Sequence, residues 1–420
     1  TFDATDKLSF YARGGYYDNK TRRPYEAYDY NILHETFNYG IGAQYMINKG
    51  NYITADCYAD HFSSSYCFFK DNKTYNGKAG EEQVRKRTRN HNLSIKGIFK
   101  LGNRHKLSVG TEYIVDVLKS QTDNIAKEDA YTLALFAQDE IKLLRNLQAL
   151  IGVRYIYHEN FKNHATPNVA LMYKPGKFNF RASYAAGFRT PTLSELYATD
   201  IAKKNDRLTI GNLDLKPEKN NYFSLSAEYV HERFSVSVNA FYNNIRDMID
   251  YNTIATGDKA MEQYGHKEVR QRDNIAEAKV HGINVSANAY LGAGFNLSGG
   301  YTHLNTQDVE LEQPIDKSIK NAYNINAQWA HSWKIYRLNI NLNGRFNSKR
   351  FSKSYGYAPE YQLWDLNTRH SFNLKSVIIE PGCGMENLFD YMDDRPYNSN
   401  YATLTPGRSF YISLSLKFKS

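Results

Sequence analysis

The chain has 420 residues, of which 41% are hydrophobic, 23% charged and 14% aromatic, and 53 Lys and Arg against 44 Asp and Glu give a formal charge of +9. That aromatic content argues against disorder, and no uncharged apolar run reaches the roughly 18 residues that would mark a membrane helix. Basic charge suits nucleic acid, an anionic lipid surface or an anionic ligand, but it is spread along the chain with no basic helix or nucleic-acid motif, so nucleic acid is not expected as a partner.

Period-two alternation of apolar and polar residues dominates the chain. In chain order it runs through 8–16, 37–46, 52–62, 92–100, 105–113, 131–141, 147–157, 178–184, 222–230, 234–242, 283–291, 295–303, 323–329, 338–342 and 410–418, with weaker versions near 361–374 and 377–388. This predicts about 18 strands and no long helix. Tyr, at 35 residues, and Phe, at 22, suit strands and half-wet interfaces. The polar face carries Asn, Ser, Gln, Arg and Lys.

The connections alternate too. Tight turns are predicted at 49–51, 101–104, 144–146, 175–177, 231–233, 291–294, 332–334 and near Lys375. Long polar loops are predicted at 18–30, 67–88, 120–128, 158–168, 188–220, 251–275, 304–320, 348–360 and 389–405. One rim of tight turns and one of large loops is the pattern of an outer-membrane barrel. An apolar face toward lipid and a polar face toward the lumen would explain a mean hydropathy of −0.64. A propeller would show a repeat of about 40–50 residues, which is not found.

No nucleophile elbow, P-loop, H-E-x-x-H or EF-hand loop is present, so no enzyme activity, cofactor or metal site is expected. Cys57, Cys67 and Cys383 form neither a disulfide framework nor zinc spacing. Cys57 and Cys67 fall on one predicted strand and its following loop, as a disulfide or as two unpaired side chains. Asp247 and Asp250, and the group Asp390, Asp393 and Asp394, read as solvated loop charges or as calcium ligands at loop bases.

Two segments carry a family resemblance. Residues 183–197 read S-Y-A-A-G-F-R-T-P-T-L-S-E-L-Y and 211–218 read G-N-L-D-L-K-P-E, so that Gly187, Phe188, Arg189 and Pro191 are followed by Asn212, Leu215, Pro217 and Glu218. Near the end come Asn387, Leu388, Phe389 and Asp390, then Pro406, Gly407 and Arg408, then an alternating strand to Phe418. Pro191 ends a strand and Pro217 can start one, since neither needs a ladder donor. Together these segments resemble the mid-barrel and C-terminal signatures of TonB-dependent outer-membrane receptors; Lys419 and Ser420 after the last aromatic are a small departure.

The resemblance implies an all-β transmembrane antiparallel barrel over residues 1–420, carrying about 18 strands of a 22-stranded barrel. Neither the N-terminal plug nor the TonB-contact motif is read here, nor are roughly four early strands. The first residues also lack the basic start and apolar core of a signal peptide. The resemblance further implies bacterial outer-membrane localisation, with long loops extracellular and short turns periplasmic. Its implied function is TonB-driven import of a scarce nutrient, a ferric siderophore or cobalamin ahead of haem; the alternative is a passive 18-stranded porin. Implied partners are outer-membrane lipid and lipopolysaccharide, the TonB complex through the missing region, a metal-chelate ligand and a surface lipoprotein.

Candidate ligand contacts in the loops are Arg189, Glu195, Tyr197, Tyr355, Tyr357 and Tyr397; the motif residues above, Arg189 among them, have a structural reading. Loop-end aromatics at Tyr25, Tyr28, Tyr30, Tyr66, Phe68, Phe69, Tyr355, Tyr357, Tyr391, Tyr397 and Tyr401 would form an interfacial girdle or stack on a planar ligand. The stretch from Thr192 to Gly211, where haem receptors of the family carry a His, has none. Its basic residues favour an anionic ligand or lipopolysaccharide phosphates. His158, His164 and His266 on other predicted loops could substitute as haem ligands.

Overall fold

The computed structural model describes residues 1–25, 28–73, 75–202, 206–352, 356–393 and 405–419. Among them, eighteen strands run for ten residues or more, against two helices of five and eight residues. The strand count matches the alternation in the sequence.

The chain forms two compact units. The first comprises residues 1–170, 185–220 and 246–276; the second 171–184, 221–245 and 277–420. In the first, Leu8–Tyr25, Tyr28–Asn48, Asn51–Phe68, Glu82–Leu101, His105–Ser120, Ile125–Leu144 and Leu147–His158 form an antiparallel meander, each pairing with the next. Because successive side chains point to opposite faces, register sorts them cleanly. Ile41, Cys57, Leu93, Tyr113, Leu133 and Tyr157 lie side by side across six strands on one face. On the other face Asn38, Asp60, Asn90 and Asp116 form a polar row, and the Asn90 amide donates to Asp116 at 2.7 Å. The first face is built for lipid and the second for water.

In the second unit Phe295–Asp308, Asn321–Trp333, Tyr336–Asn347, Tyr361–Asn373, Val377–Glu386 and Ser409–Phe418 pair in the same way. Here the Asn326 amide donates to Asn341 and Asn343, at 2.6 and 2.5 Å. Beside the tight turn at 334–335, Trp329, Trp333, Tyr336 and Phe372 contact one another with ring centroids 5.1–6.1 Å apart. In the first unit Tyr113, Tyr131 and Tyr157 make a ladder at 6.0 and 6.1 Å.

Turns at 49–50, 102–104, 145–146, 176–177 and 293–294 fall where the sequence places them. Several predicted loops are corrected. Residues 18–25 continue their strand up to a Tyr25–Tyr28 pair, the 120–128 connection shrinks to 121–124, and the 158–168 connection to 159–161. The 67–88 loop spans only 69–81. Residues 18–22 are exposed on both faces, and 121–128 is polar apart from Ile125 and Ala126. The backbone ladder continues there, but alternation has nothing to sort, so polar strand reads as loop. Strand Asn51–Phe68 also removes the disulfide reading. Cys57 and Cys67 are free on that one strand, ten residues and about 33 Å apart.

Candidate functional site

The segment after strand Phe178–Arg189 is locked by one guanidinium. Arg189 donates from Nε to Glu218 Oε2 (2.8 Å) and from Nη2 to Glu218 Oε1 (2.5 Å). It also donates to both oxygens of Glu195, at 2.9 and 3.3 Å. Paired fork-to-carboxylate bonds of this kind are the strong, orienting ones. Glu195 is held by Thr192, which caps helix Leu193–Tyr197: the Thr192 N–H donates to Glu195 Oε2 at 2.8 Å, and the Glu195 N–H to Thr192 Oγ1 at 3.2 Å. Such a capping box satisfies the first helical donors. Glu218 also accepts from the Ile249 N–H at 2.8 Å.

Beneath the ion pairs Leu196, Leu215 and Ile249 form a small buried core, with Phe161 and Tyr197 packed against it. Pro191 and Pro217 are buried at its margins. Gly211 lies against the Leu196 carbonyl, where a Cβ has no room. The Asn212 N–H donates to Glu195 O at 3.0 Å, and the Asn212 side chain accepts from the Asp214 N–H at 2.9 Å. Asn274 closes the far side, donating to Lys216 O (2.9 Å) and Asp247 O (2.6 Å) and accepting from the Lys216 N–H (2.7 Å). Gly187 and Phe188 lead into this anchor, and Phe188 stacks on His164 at 4.3 Å. Burial pushes the Tyr197 hydroxyl upward, helped by Glu128 and Glu159.

Burial acts to raise the carboxyls of Glu195 and Glu218, but the hydrogen bonds and charge of Arg189 outweigh it, so both lie below the usual range. Groups with depressed folded values stabilise above the unfolded pKa and lose that contribution as pH falls through the folded one. The anchor should therefore hold at neutral pH and loosen below about pH 4. Amide exchange of residues 193–197 across pH 3–7, corrected for intrinsic rates, checks this; protection that does not fall in acid contradicts it.

A second cluster lies at the same loop end of the first unit. Tyr30 and Tyr66 stack at 4.5 Å, and Tyr75 meets them edge-on at 5.8 and 5.2 Å. Phe68 is fully buried beside them. Connection 69–81 folds back through the Asn72 and Gly77 backbone pair, and Asn72 Oδ1 accepts from the Tyr75 N–H at 3.1 Å. The Arg85 guanidinium lies 5.3 Å from the Tyr66 ring and 5.2 Å from the Tyr75 ring. Its Nη1 donates to Gln121 at 3.3 Å, while its buried Nε has no hydrogen-bond partner among the described residues. Tyr30 and Phe68 make a floor; Tyr66, Tyr75 and Arg85 are half-exposed above it.

The candidate contacts thus separate. Arg189 is committed to Glu195 and Glu218, which it bridges, and Tyr197 packs on the local core. Tyr357 is exposed on the short hairpin of Arg350–Ser352 and Gly356–Ala358, against Phe351 at 5.3 Å. Tyr355, Tyr397 and Tyr401, the Tyr25 and Tyr28 side chains, Lys203, Lys204 and Asp394 lie outside the described residues. Among the loop histidines, His158 is buried, with burial lowering its pKa, and accepts from the Asn160 N–H at 3.1 Å. His266 bonds Asp206 at 2.8 Å, which lowers the Asp206 pKa. No group of three His, Cys, Asp or Glu positioned to hold a metal is found among the described residues. Sequence reasoning picked out Tyr30, Tyr66 and Phe68 but missed Tyr75 and Arg85, which stand in polar stretches without periodicity.

At the C-terminal signature, Asn387 takes a left-handed backbone, φ 51°. Its side chain donates to Tyr391 O (2.7 Å) and Pro406 O (2.9 Å) and accepts from the Tyr391 N–H (2.8 Å). Leu388 bonds the Trp364 carbonyl, and Phe389 is exposed with its ring edge-on to Trp364. Asp390 accepts from the Arg408 N–H at 2.7 Å, beside Gly407. Phe418 is exposed on the last strand, paired with Val377.

A family profile described as TonB dependent receptor-like, beta-barrel, matches residues 1–387. Among solved structures, the siderophore receptor PirA from Pseudomonas aeruginosa superposes with a TM-score of 0.74 at 16% identity, over 100% of this chain and 69% of that one. PirA from Acinetobacter baumannii gives 0.78 at 16%, over 99% and 69%. The ferric enterobactin receptor PfeA from Pseudomonas aeruginosa, in a variant bound to enterobactin, gives 0.70 at 16%, over 98% and 77%. With strand pattern, loop anchor and C-terminal signature in agreement, the chain belongs to the TonB-dependent receptor β-barrel family, whose members are outer-membrane proteins of nutrient transport.

Proposed function

We propose that this chain is the barrel domain and part of the ligand mouth of a receptor that imports a ferric siderophore. In this reading residues 1–420 are barrel throughout, and the plug and TonB-contact segment belong to sequence outside them. TonB acts through those segments, the long connections face the exterior, and the tight turns face the periplasm. The observation that carries the ligand class is the half-exposed cluster of Tyr66, Tyr75 and Arg85 at the loop end. Stacked rings and a guanidinium suit a flat, anionic, catechol-type chelate. The similarity to siderophore receptors supports the same class.

Haem is disfavoured by the His-free stretch 192–211 and by the existing contacts of His158, His164 and His266. No observation favours cobalamin, and the family match speaks against a passive porin. The test is titration of the full-length receptor with a ferric tris-catecholate, followed by fluorescence quenching. Tyr66→Ala and Arg85→Ala should each weaken binding about tenfold while the barrel stays folded, a loss of about 1.4 kcal/mol. Unchanged affinity in both folded variants would remove this site. A low-spin haem spectrum abolished by replacing His158, His164 or His266 would move the ligand class to haem.

A further inference from the structure

The loop end of the second unit holds two histidines that lie outside the loop anchor and the aromatic cluster. Strand Glu268–Gly292 pairs antiparallel with Phe295–Asp308, placing His281 opposite Asn305 and Ile283 opposite His303. His303 in turn lies opposite Asn321 on the next strand. Side chains of paired residues share a face, and diagonal neighbours are within reach of long ones. His281, His303, Asn305 and Asn321 therefore crowd one patch, where the apolar run Ile283, Val285, Ala287 gives out toward the loops. His281 is exposed and the other three are half-buried.

The hydrogen bonds fix which ring nitrogens are available. Asn321 Oδ1 lies 2.8 Å from His303 Nδ1 and also accepts from the Tyr301 hydroxyl at 2.9 Å. An amide oxygen only accepts, so His303 Nδ1 carries a hydrogen and Nε2 is left with its lone pair. Asn305 Nδ2 lies 3.3 Å from that Nε2 and 3.4 Å from the Nε2 of His281. An amide nitrogen only donates, one hydrogen to each ring, so the two imidazoles aim lone pairs at one atom. Asn321 is itself fixed: its N–H donates to Ser348 Oγ at 2.9 Å, and its carbonyl accepts from the Ser348 N–H at 2.9 Å. Lys279, the cation two residues from His281 on the same face, is drawn to Glu277 at 4.0 Å.

We propose that His281 and His303 hold a divalent transition ion of the imidazole-preferring class, Cu2+, Ni2+ or Zn2+. Two converging Nε2 lone pairs are the donors such an ion takes, and the amide hydrogens already put positive charge where they meet. Turned over, the Asn305 amide presents its oxygen as a third ligand, and water completes the set. Asn321 is a positioning residue, because its hold on the Nδ1 hydrogen fixes the tautomer and the ring orientation of His303. Calcium and magnesium need several oxygen ligands, and this patch offers one.

The untagged full-length receptor, freed of metal in detergent micelles, is titrated with Cu2+ by calorimetry and followed by electron paramagnetic resonance. One tightly held ion should show splitting from two imidazole nitrogens, and excess Ca2+ should not displace it. His281→Gln and His303→Gln should each weaken binding by about 100-fold or more, with the barrel folded by gel mobility. Asn321→Leu should weaken it about tenfold, whereas Asn321→Asp, which keeps an acceptor on Nδ1, should bind at least as tightly as the parent. The H61Q/H91Q variant removes another close histidine pair, with rings 5.4 Å apart, and should bind as the parent does. Parent-like affinity in both H281Q and H303Q overturns the site, as does a loss that appears in H61Q/H91Q instead. Equal affinity in Asn321→Leu and Asn321→Asp overturns the positioning role.

Discussion

Replacing Arg189 with alanine should release the 190–217 connection while leaving the surrounding strands paired. The guanidinium satisfies two carboxylates 6 and 29 residues away in sequence. Without it, Glu195 and Glu218 remain side by side, with side-chain exposures of 13% and 15%. Removing one partner of a buried ion pair costs ~3–5 kcal/mol; the 42% exposure of the Arg189 side chain discounts this to about 2–3 kcal/mol. Arg189→Lys should recover only part, because an ammonium is a point charge and cannot fork to two carboxylates at once. Hydrogen exchange over 193–197 and 207–217 reads the effect directly. Wild-type protection in Arg189→Ala would mean that the apolar core of Leu196, Leu215 and Ile249 holds the connection by itself.

Asn387→Ala should destabilise the junction ahead of the final strand by about 4–5 kcal/mol. Three side-chain hydrogen bonds vanish, at ~1 kcal/mol each, and the Tyr391 and Pro406 backbone groups lose their partner. Alanine must also occupy the left-handed backbone, adding about 1–2 kcal/mol that asparagine largely escapes. Asn387→Gly separates the two contributions, since glycine relieves the backbone cost but makes none of the bonds. The expected order of stability in urea unfolding is wild type, then Asn387→Gly, then Asn387→Ala. Equal stability of all three would show that the signature is not a structural latch.

Strand number, tight-turn positions and the two-faced character of the sheet follow from local chemistry, and were legible in the chain by itself. A pleated strand with lipid on one side and water on the other must alternate, as Phe234, Val236 and Val238 do against Ser235, Ser237 and Asn239. The signature residues were legible as motifs, and part of the aromatic cluster as an excess of loop-end rings. What those residues do was decided by tertiary structure. Arg189 reads equally well as a ligand contact until Glu218 is brought beside it by the path of the intervening connection. Arg85 lies in an unremarkable polar stretch until the fold of 69–81 carries Tyr75 over it. The strands also outrun their sequence signal at residues 18–25 and 120–128. Periodicity records only which face meets which surroundings, and it falls silent where the two faces carry no apolar–polar contrast. Backbone pairing and side-chain partners across loops depend on register and chain path, which no local window of sequence contains.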